Sequence, residues 1–202
     1  MSPGIPPTYN QWKIDPLKSK ISFKVVNLFS PVIEGVFNVF DATIYTYGDD
    51  LTSAEADLWI DVSSVSTGQA DLDERLKGAD YFDLEHHSRI VFTSLALDKN
   101  DDEGNHRLSG QLTMKGVTKY ILLKMQMDAD ATKASLTVTG KLNRSDWGVE
   151  ASGFAEATVS DEVVVSCDLE LVQVNQAEIQ AKVTSDRVNK MGLKLEFSSG
   201  FL

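Results

Sequence analysis

The chain has 202 residues, 42% of them hydrophobic, which is enough for one sizeable core. Its 30 Asp and Glu outnumber 19 Lys and Arg for a formal charge of −11; such a surface repels phosphate backbones and anionic bilayers, which argues against nucleic-acid binding. The one cysteine, Cys167, forbids an intrachain disulfide and fits a reducing compartment.

Pro3, Pro6 and Pro7 open the chain, so residues 1–11 read as an extended arm rather than a helix. The opening carries neither the basic nor the apolar segment of a secretory signal, and no stretch approaches the roughly 18 apolar residues of a spanning helix. These features predict a cytoplasmic protein, or a periplasmic one if a signal was removed, with no stable membrane insertion.

From Ile14 the dominant period is two. Ile21, Phe23 and Val25 alternate with Ser22, Lys24 and Val26, and a second run covers residues 36–45. Gly48, Asp49 and Asp50 are turn residues. In the next run Ala56, Leu58, Ile60 and Val62 share one face, and Glu55, Asp57, Trp59 and Asp61 share the other, as in a half-buried antiparallel strand. The pattern then changes. Residues 69–77 are good helix formers, Leu72 and Leu76 are spaced i, i+4, Thr67 or Ser66 is a candidate cap, and Gly78 marks the end. Strands resume at 90–97, 108–114, 120–127, 136–142 and 163–172, with a polar hairpin tip at 98–105 and another polar turn at 128–133. Residues 174–188 read as helical, and 175–202 form a C-terminal extension. The count is eight or nine strands and one short inserted helix. Closing such a meander removes its sheet edges, which favours a barrel.

Several interior positions are small. Ala56, Ser94, Gly110 and Gly140 are in register with Leu58, Phe92, Leu112 and Leu142, which implies either a tight taper or an empty tunnel. Residues able to do chemistry are sparse. Cys167 lies inside the apolar run 163–171 and reads as a core thiol. His86 and His87, with Glu85 and Asp83, invite a metal reading, but adjacent histidines on a strand point opposite ways, so no metal is expected. The acidic run 98–103 lacks the spacing of a calcium loop. Arg144 and Asp146 read as a hydrogen-bonded, ion-paired turn, and Ser145 has no nucleophile-elbow context. No enzyme activity and no cofactor are expected.

Segment by segment, the chain resembles a known family. Trp12-Lys13-Ile14-Asp15-Pro16 with Ser19-Lys20-Ile21-Ser22-Phe23, then Gly35-Val36-Phe37, residues 61–67, Ala79-Asp80-Tyr81-Phe82-Asp83, Ile90-Val91-Phe92-Thr93-Ser94, residues 110–118, Asn143-Arg144-Ser145-Asp146-Trp147-Gly148 and Ser160-Asp161-Glu162-Val163 are similar, in order, to the motifs of the YceI family of lipocalin-like proteins. The resemblance covers about residues 12–172. Departures fall at Asn27, where many members have His, at Leu72-Asp73-Glu74-Arg75-Leu76, where many read R-D-x-H-L, and at His87-Ser88, where many read Tyr-Pro.

The resemblance implies an extended eight-stranded antiparallel lipocalin-like barrel over residues 12–174. It also implies an elongated interior that stores or carries a long-chain isoprenoid or other amphiphilic, fatty-acid-like lipid without chemistry. Pairing into a homodimer is implied too, though nothing in these residues specifies it. The candidate lining is Phe23, Val25, Phe37, Ala56, Leu58, Ile60, Phe92, Leu112, Met114, Leu123, Met125, Val138, Gly140 and Leu142. The two thioethers suit an irregular flexible chain. A one-residue slip in any strand exchanges these residues for their neighbours. The alternative is a barrel packed solid with side chains, acting as a protein-interaction or stress-related structural module.

Overall fold

The computed structural model describes residues 9–27, 32–48, 50–99, 105–150 and 158–174. Its strands are β1 (Tyr9–Ile14), β2 (Lys20–Asn27), β3 (Ile33–Phe37), β4 (Phe40–Tyr47), β5 (Asp50–Asp61), β6 (Val65–Ser66), β7 (Arg89–Lys99), β8 (Asn105–Met114), β9 (Val117–Ala129), β10 (Lys133–Asn143) and β11 (Val159–Gln173). One helix, α1 (Ala70–Lys77), lies between β6 and β7. The prolines of the N-terminal arm, the hairpin tip at 100–104 and the segment after residue 174 lie outside the described residues. Tyr9, Asn10 and Gln11, read from sequence as the end of the arm, already pair with Tyr47, Thr46 and Tyr45 of β4.

All pairings are antiparallel, and the sheet closes because β1 pairs with both β4 and β11. The result is a closed barrel of eight staves. Three staves are interrupted: β2 continues β1, β3 continues β4 and β6 continues β5, which explains the larger number of separate strands. At the breaks, backbone groups that leave the ladder find other partners. Between β1 and β2 the Asp15 amide donates to the Glu170 carbonyl at 2.7 Å, and the Glu170 amide donates to Ser19 Oγ at 2.9 Å. Beside the break between β3 and β4, the Asn38 amide donates to the Ser64 carbonyl and the Val39 amide to Ser64 Oγ.

Strict alternation sends one side chain in two to the interior. Along β4 the buried residues are Phe40, Ala42, Ile44 and Thr46, and along β2 they are Ile21, Phe23 and Val25. The β8–β9 hairpin turns on Lys115 and Gly116, both at positive φ (49° and 71°), the handedness that suits a two-residue connection between twisted strands. The Lys115 ammonium donates to the Ala79 and Gly148 carbonyls at 2.9 and 2.6 Å. It thereby ties the loop after α1 and the turn after β10 to the same end of the barrel.

The helix ends at Gly78 as the sequence predicts, but neither Thr67 nor Ser66 is its cap. The residue before the first turn is Gln69, with no side-chain capping bond. Thr67 acts in the opposite sense: its amide and hydroxyl both donate to the Asp73 carboxylate, at 2.6 and 2.7 Å. Those bonds hold the Asp73 carboxyl below its ordinary value.

Candidate functional site

The barrel is not packed solid. A cavity of about 400 Å³ lies inside it, within the range of small-molecule sites. At about 3.3 Å per residue, the 11 residues of β10 alone trace roughly 36 Å of wall.

Of the residues expected from sequence to line this space, Phe23, Val25, Phe37, Ala56, Leu58, Ile60, Phe92, Leu112, Met114, Leu123, Met125, Val138 and Leu142 do so. Gly140 does not. A Cβ on Gly140 would overlap Leu123 Cδ2, and a Cβ on Gly110 would overlap the Phe92 ring. The two glycines therefore do not open the tunnel. Each accommodates a large neighbour from the adjoining strand, because a bare Cα is the only surface on which that side chain can lie. Ala56 and Ser94, the other small positions, are in the wall.

The periodicity reading missed part of the wall. Trp12, Ile44, Ile121, Val163, Val165 and Leu171 also line the cavity. Their alternation with exposed Asp41, Thr43, Val164 and Asp168 was a usable signal. Leu72, Arg75 and Leu76 of α1, and Tyr81 and Phe82 beyond it, line the cavity as well, and no local pattern marks a helix as the cover of a barrel.

Cys167 is in the wall between Val165 and Leu169. Burial, with a lesser contribution from Asp168, pushes its thiol up to about 12. A thiol held protonated in a hydrocarbon wall is an apolar wall element rather than a nucleophile.

Polar groups in the wall are few, and most are used by the protein itself. At one end the Trp12 indole donates to Thr46 Oγ1 at 3.1 Å, both residues being buried. Midway, Ser94 Oγ accepts from the Ala56 amide at 2.7 Å. At the other end Arg144 donates to the carbonyls of Ser160, Val149 and Val159 at 3.0, 3.0 and 3.3 Å. The expected turn at Arg144–Asp146 is thus a guanidinium spread over three backbone acceptors. Ser145 is fixed by Asp161, which accepts from its amide at 2.9 Å and its hydroxyl at 2.7 Å. Trp147, 2% exposed, donates to the Leu112 carbonyl at 3.2 Å and closes the wall beneath that turn.

His86 and His87 are not on a strand. They lie in a turn opened by Asp83, whose φ is +53° and whose carbonyl accepts from both of their amides. In that turn both rings face one carboxylate: His86 Nδ1 is 2.9 Å and His87 Nε2 3.9 Å from Asp83. The hydrogen bond to His86 holds the Asp83 carboxyl below its ordinary value and raises the His86 imidazole. Among the described residues no group of three His, Cys, Asp or Glu could hold a metal ion. Likewise, no helix is long and apolar enough to cross a membrane among the described residues.

A closed antiparallel up-and-down barrel with an apolar central cavity defines a lipocalin-like protein. The model of the YceI-like domain matches residues 12–171, and the chain belongs to that family. It is 26% identical over 146 residues to a UPF0312 protein of Staphylococcus epidermidis, covering 69% of this chain and 82% of that one. It is also 26% identical over 137 residues to protein YceI of Escherichia coli O157:H7, covering 64% and 70%. Among solved structures, BcnA of Burkholderia cenocepacia superposes with a TM-score of 0.71 at 23% identity, over 78% of this chain and 98% of that one. A polyisoprenoid-binding domain from Saccharophagus degradans gives 0.61 at 20% identity, over 81% and 98%.

Proposed function

We propose that this barrel binds a long apolar lipid, polyisoprenoid or fatty-acid-like, in its interior and stores or transports it without chemical change. The observation that carries the reading is the cavity: about 400 Å³, enclosed by a ring of alternating strands and walled almost wholly by hydrocarbon. Each CH₂ moved from water into such a space contributes about 0.8 kcal/mol, so a long chain binds well with little polar recognition. An apolar cavity of this size has no evident packing purpose, since interiors otherwise fill to crystal-like density. The polyisoprenoid-binding description of the S. degradans domain, which shares the fold, is consistent with this reading.

The test is native mass spectrometry and organic extraction of freshly purified protein, paired with a Val138→Phe variant that fills the middle of the channel. A co-purifying lipid in the native chain, lost in V138F while the fold is retained, is the expected result. Protein that arrives empty and takes up no added isoprenoid or fatty chain would overturn the proposal.

A further inference from the structure

We infer that the lipid's polar end is a singly charged, carboxylate-like anion held by Arg75 where α1 crosses the barrel mouth. This rests on the reading of the cavity as a lipid site. Arg75 borders two spaces at once: the central cavity, and an adjoining outer pocket of about 530 Å³ that it shares with Glu34, Thr67, Gln69 and Asp71. Arg75 therefore stands at the junction between a hydrocarbon channel and a polar vestibule, its guanidinium beside Tyr81 of the cavity wall. A ligand's tail and head would part company there.

Arg75 differs from the other polar groups of the wall. Arg144 has its donors committed to three carbonyls, and Thr46 and Ser94 are committed to Trp12 and Ala56. Arg75 gives one N–H to the Tyr81 hydroxyl at 3.2 Å and packs 6.0 Å from that ring's centre. Among the described residues no carboxylate forms an ion pair with it. That is notable on a chain with 30 acidic residues, where the next cation along the helix, Lys77, is paired with Glu74 at 2.8 Å. A planar guanidinium with an open edge suits a carboxylate, which it can bind through two parallel hydrogen bonds.

The vestibule also limits the charge it accepts. Glu34 is balanced by Lys24 at 2.9 Å, whereas Asp71 adds a negative charge near Arg75. Among the described residues Arg75 is thus the one cation of the vestibule left to meet a ligand, and Asp71 stands beside it; a single negative charge can pair with the guanidinium, whereas the second charge of a phosphate would face Asp71 without a partner.

The experiment uses the full chain stripped of lipid and loaded with the neutral fluorophore N-phenyl-1-naphthylamine. Three displacing ligands share one tail: hexadecanoate, hexadecan-1-ol and hexadecyl phosphate, each below its micellar concentration at pH 7.5. Hexadecanoate should displace the probe about tenfold more tightly than the alcohol. Arg75→Gln should abolish that preference, bringing hexadecanoate level with the alcohol, while Arg75→Lys should keep part of it. Arg75 is exposed, so both variants should retain the native thermal midpoint. Equal affinity for hexadecanoate and hexadecanol, or an unchanged preference in R75Q, would overturn the headgroup assignment and leave the lipid cavity standing. Tighter binding of hexadecyl phosphate would overturn the single-charge assignment. Failure of all three to displace the probe would sink this inference together with the proposed function.

Discussion

The side chain of Leu123 lies across the bare Cα of Gly140, so that any Cβ at residue 140 would overlap Leu123 Cδ2. The Phe92 ring covers Gly110 in the same way, but there the Thr93 carbonyl also stands 2.6 Å from the would-be Cβ. The two contacts differ in what can yield. Leu123 can rotate its terminal methyls, whereas the Thr93 carbonyl belongs to the β7 backbone. Gly110→Ala should therefore cost about 3 kcal/mol and Gly140→Ala about 1 kcal/mol, as read from urea denaturation midpoints. Equal costs would show that side-chain and backbone obstruction are not distinguished here.

Arg144 holds together the start of β11 and the turn after β10 through three carbonyls. Replacing it with Ala leaves those partly buried acceptors without a donor, at a cost of about 2–4 kcal/mol. Lys carries the charge but lacks the planar fork, so Arg144→Lys should recover less than half of that loss. Equilibrium unfolding of both variants checks the prediction; a Lys variant as stable as the native chain would show that charge alone is what Arg144 supplies.

The Asp83–His86 pair makes stability depend on pH in a definite window. Its hydrogen bond raises the imidazole above its ordinary 6.5, so that contribution is fully present below pH 6.5 and is lost as pH rises through the raised value. The same bond lowers the carboxyl below its ordinary 3.8, so that contribution is present above pH 3.8 and is lost as pH falls through the depressed value. The thermal midpoint of the native chain minus that of Asp83→Asn should therefore peak between about pH 4 and 6.5 and shrink on both sides. Asn tolerates the positive φ of residue 83, so the backbone is not the variable tested. A difference that is flat with pH would remove the pair from any role in stability.

Cys167 should behave as a wall group. With its thiol pushed up to about 12 by burial, iodoacetamide at pH 8 should leave it unmodified in the folded protein and alkylate it once the chain is unfolded in urea. Rapid labelling of the native state, followed by intact mass, would show that the cavity admits water and reagent freely.

Local alternation by itself determined which faces of the strands turn inward. A period of two is a property of neighbouring residues, and it grouped Phe23, Leu58, Phe92, Met125 and Val138 with the apolar faces of their strands before any partner strand was known; that those faces enclose a cavity is a finding of the structure. The ordered motifs likewise pointed to the barrel and its family. Closure, by contrast, depends on Trp12 meeting both Ile44 and Gln173, residues far apart in the chain, and no local pattern encodes that meeting. For the same reason Gly140 was placed in the lining and the sequence left both glycines open between taper and tunnel: whether a missing side chain leaves space or seats a neighbour depends on what the adjoining strand sends across. The placement of Arg75 over the mouth was also a tertiary outcome. A short helix with no buried residue of its own takes its position from the strands it covers, not from its own sequence.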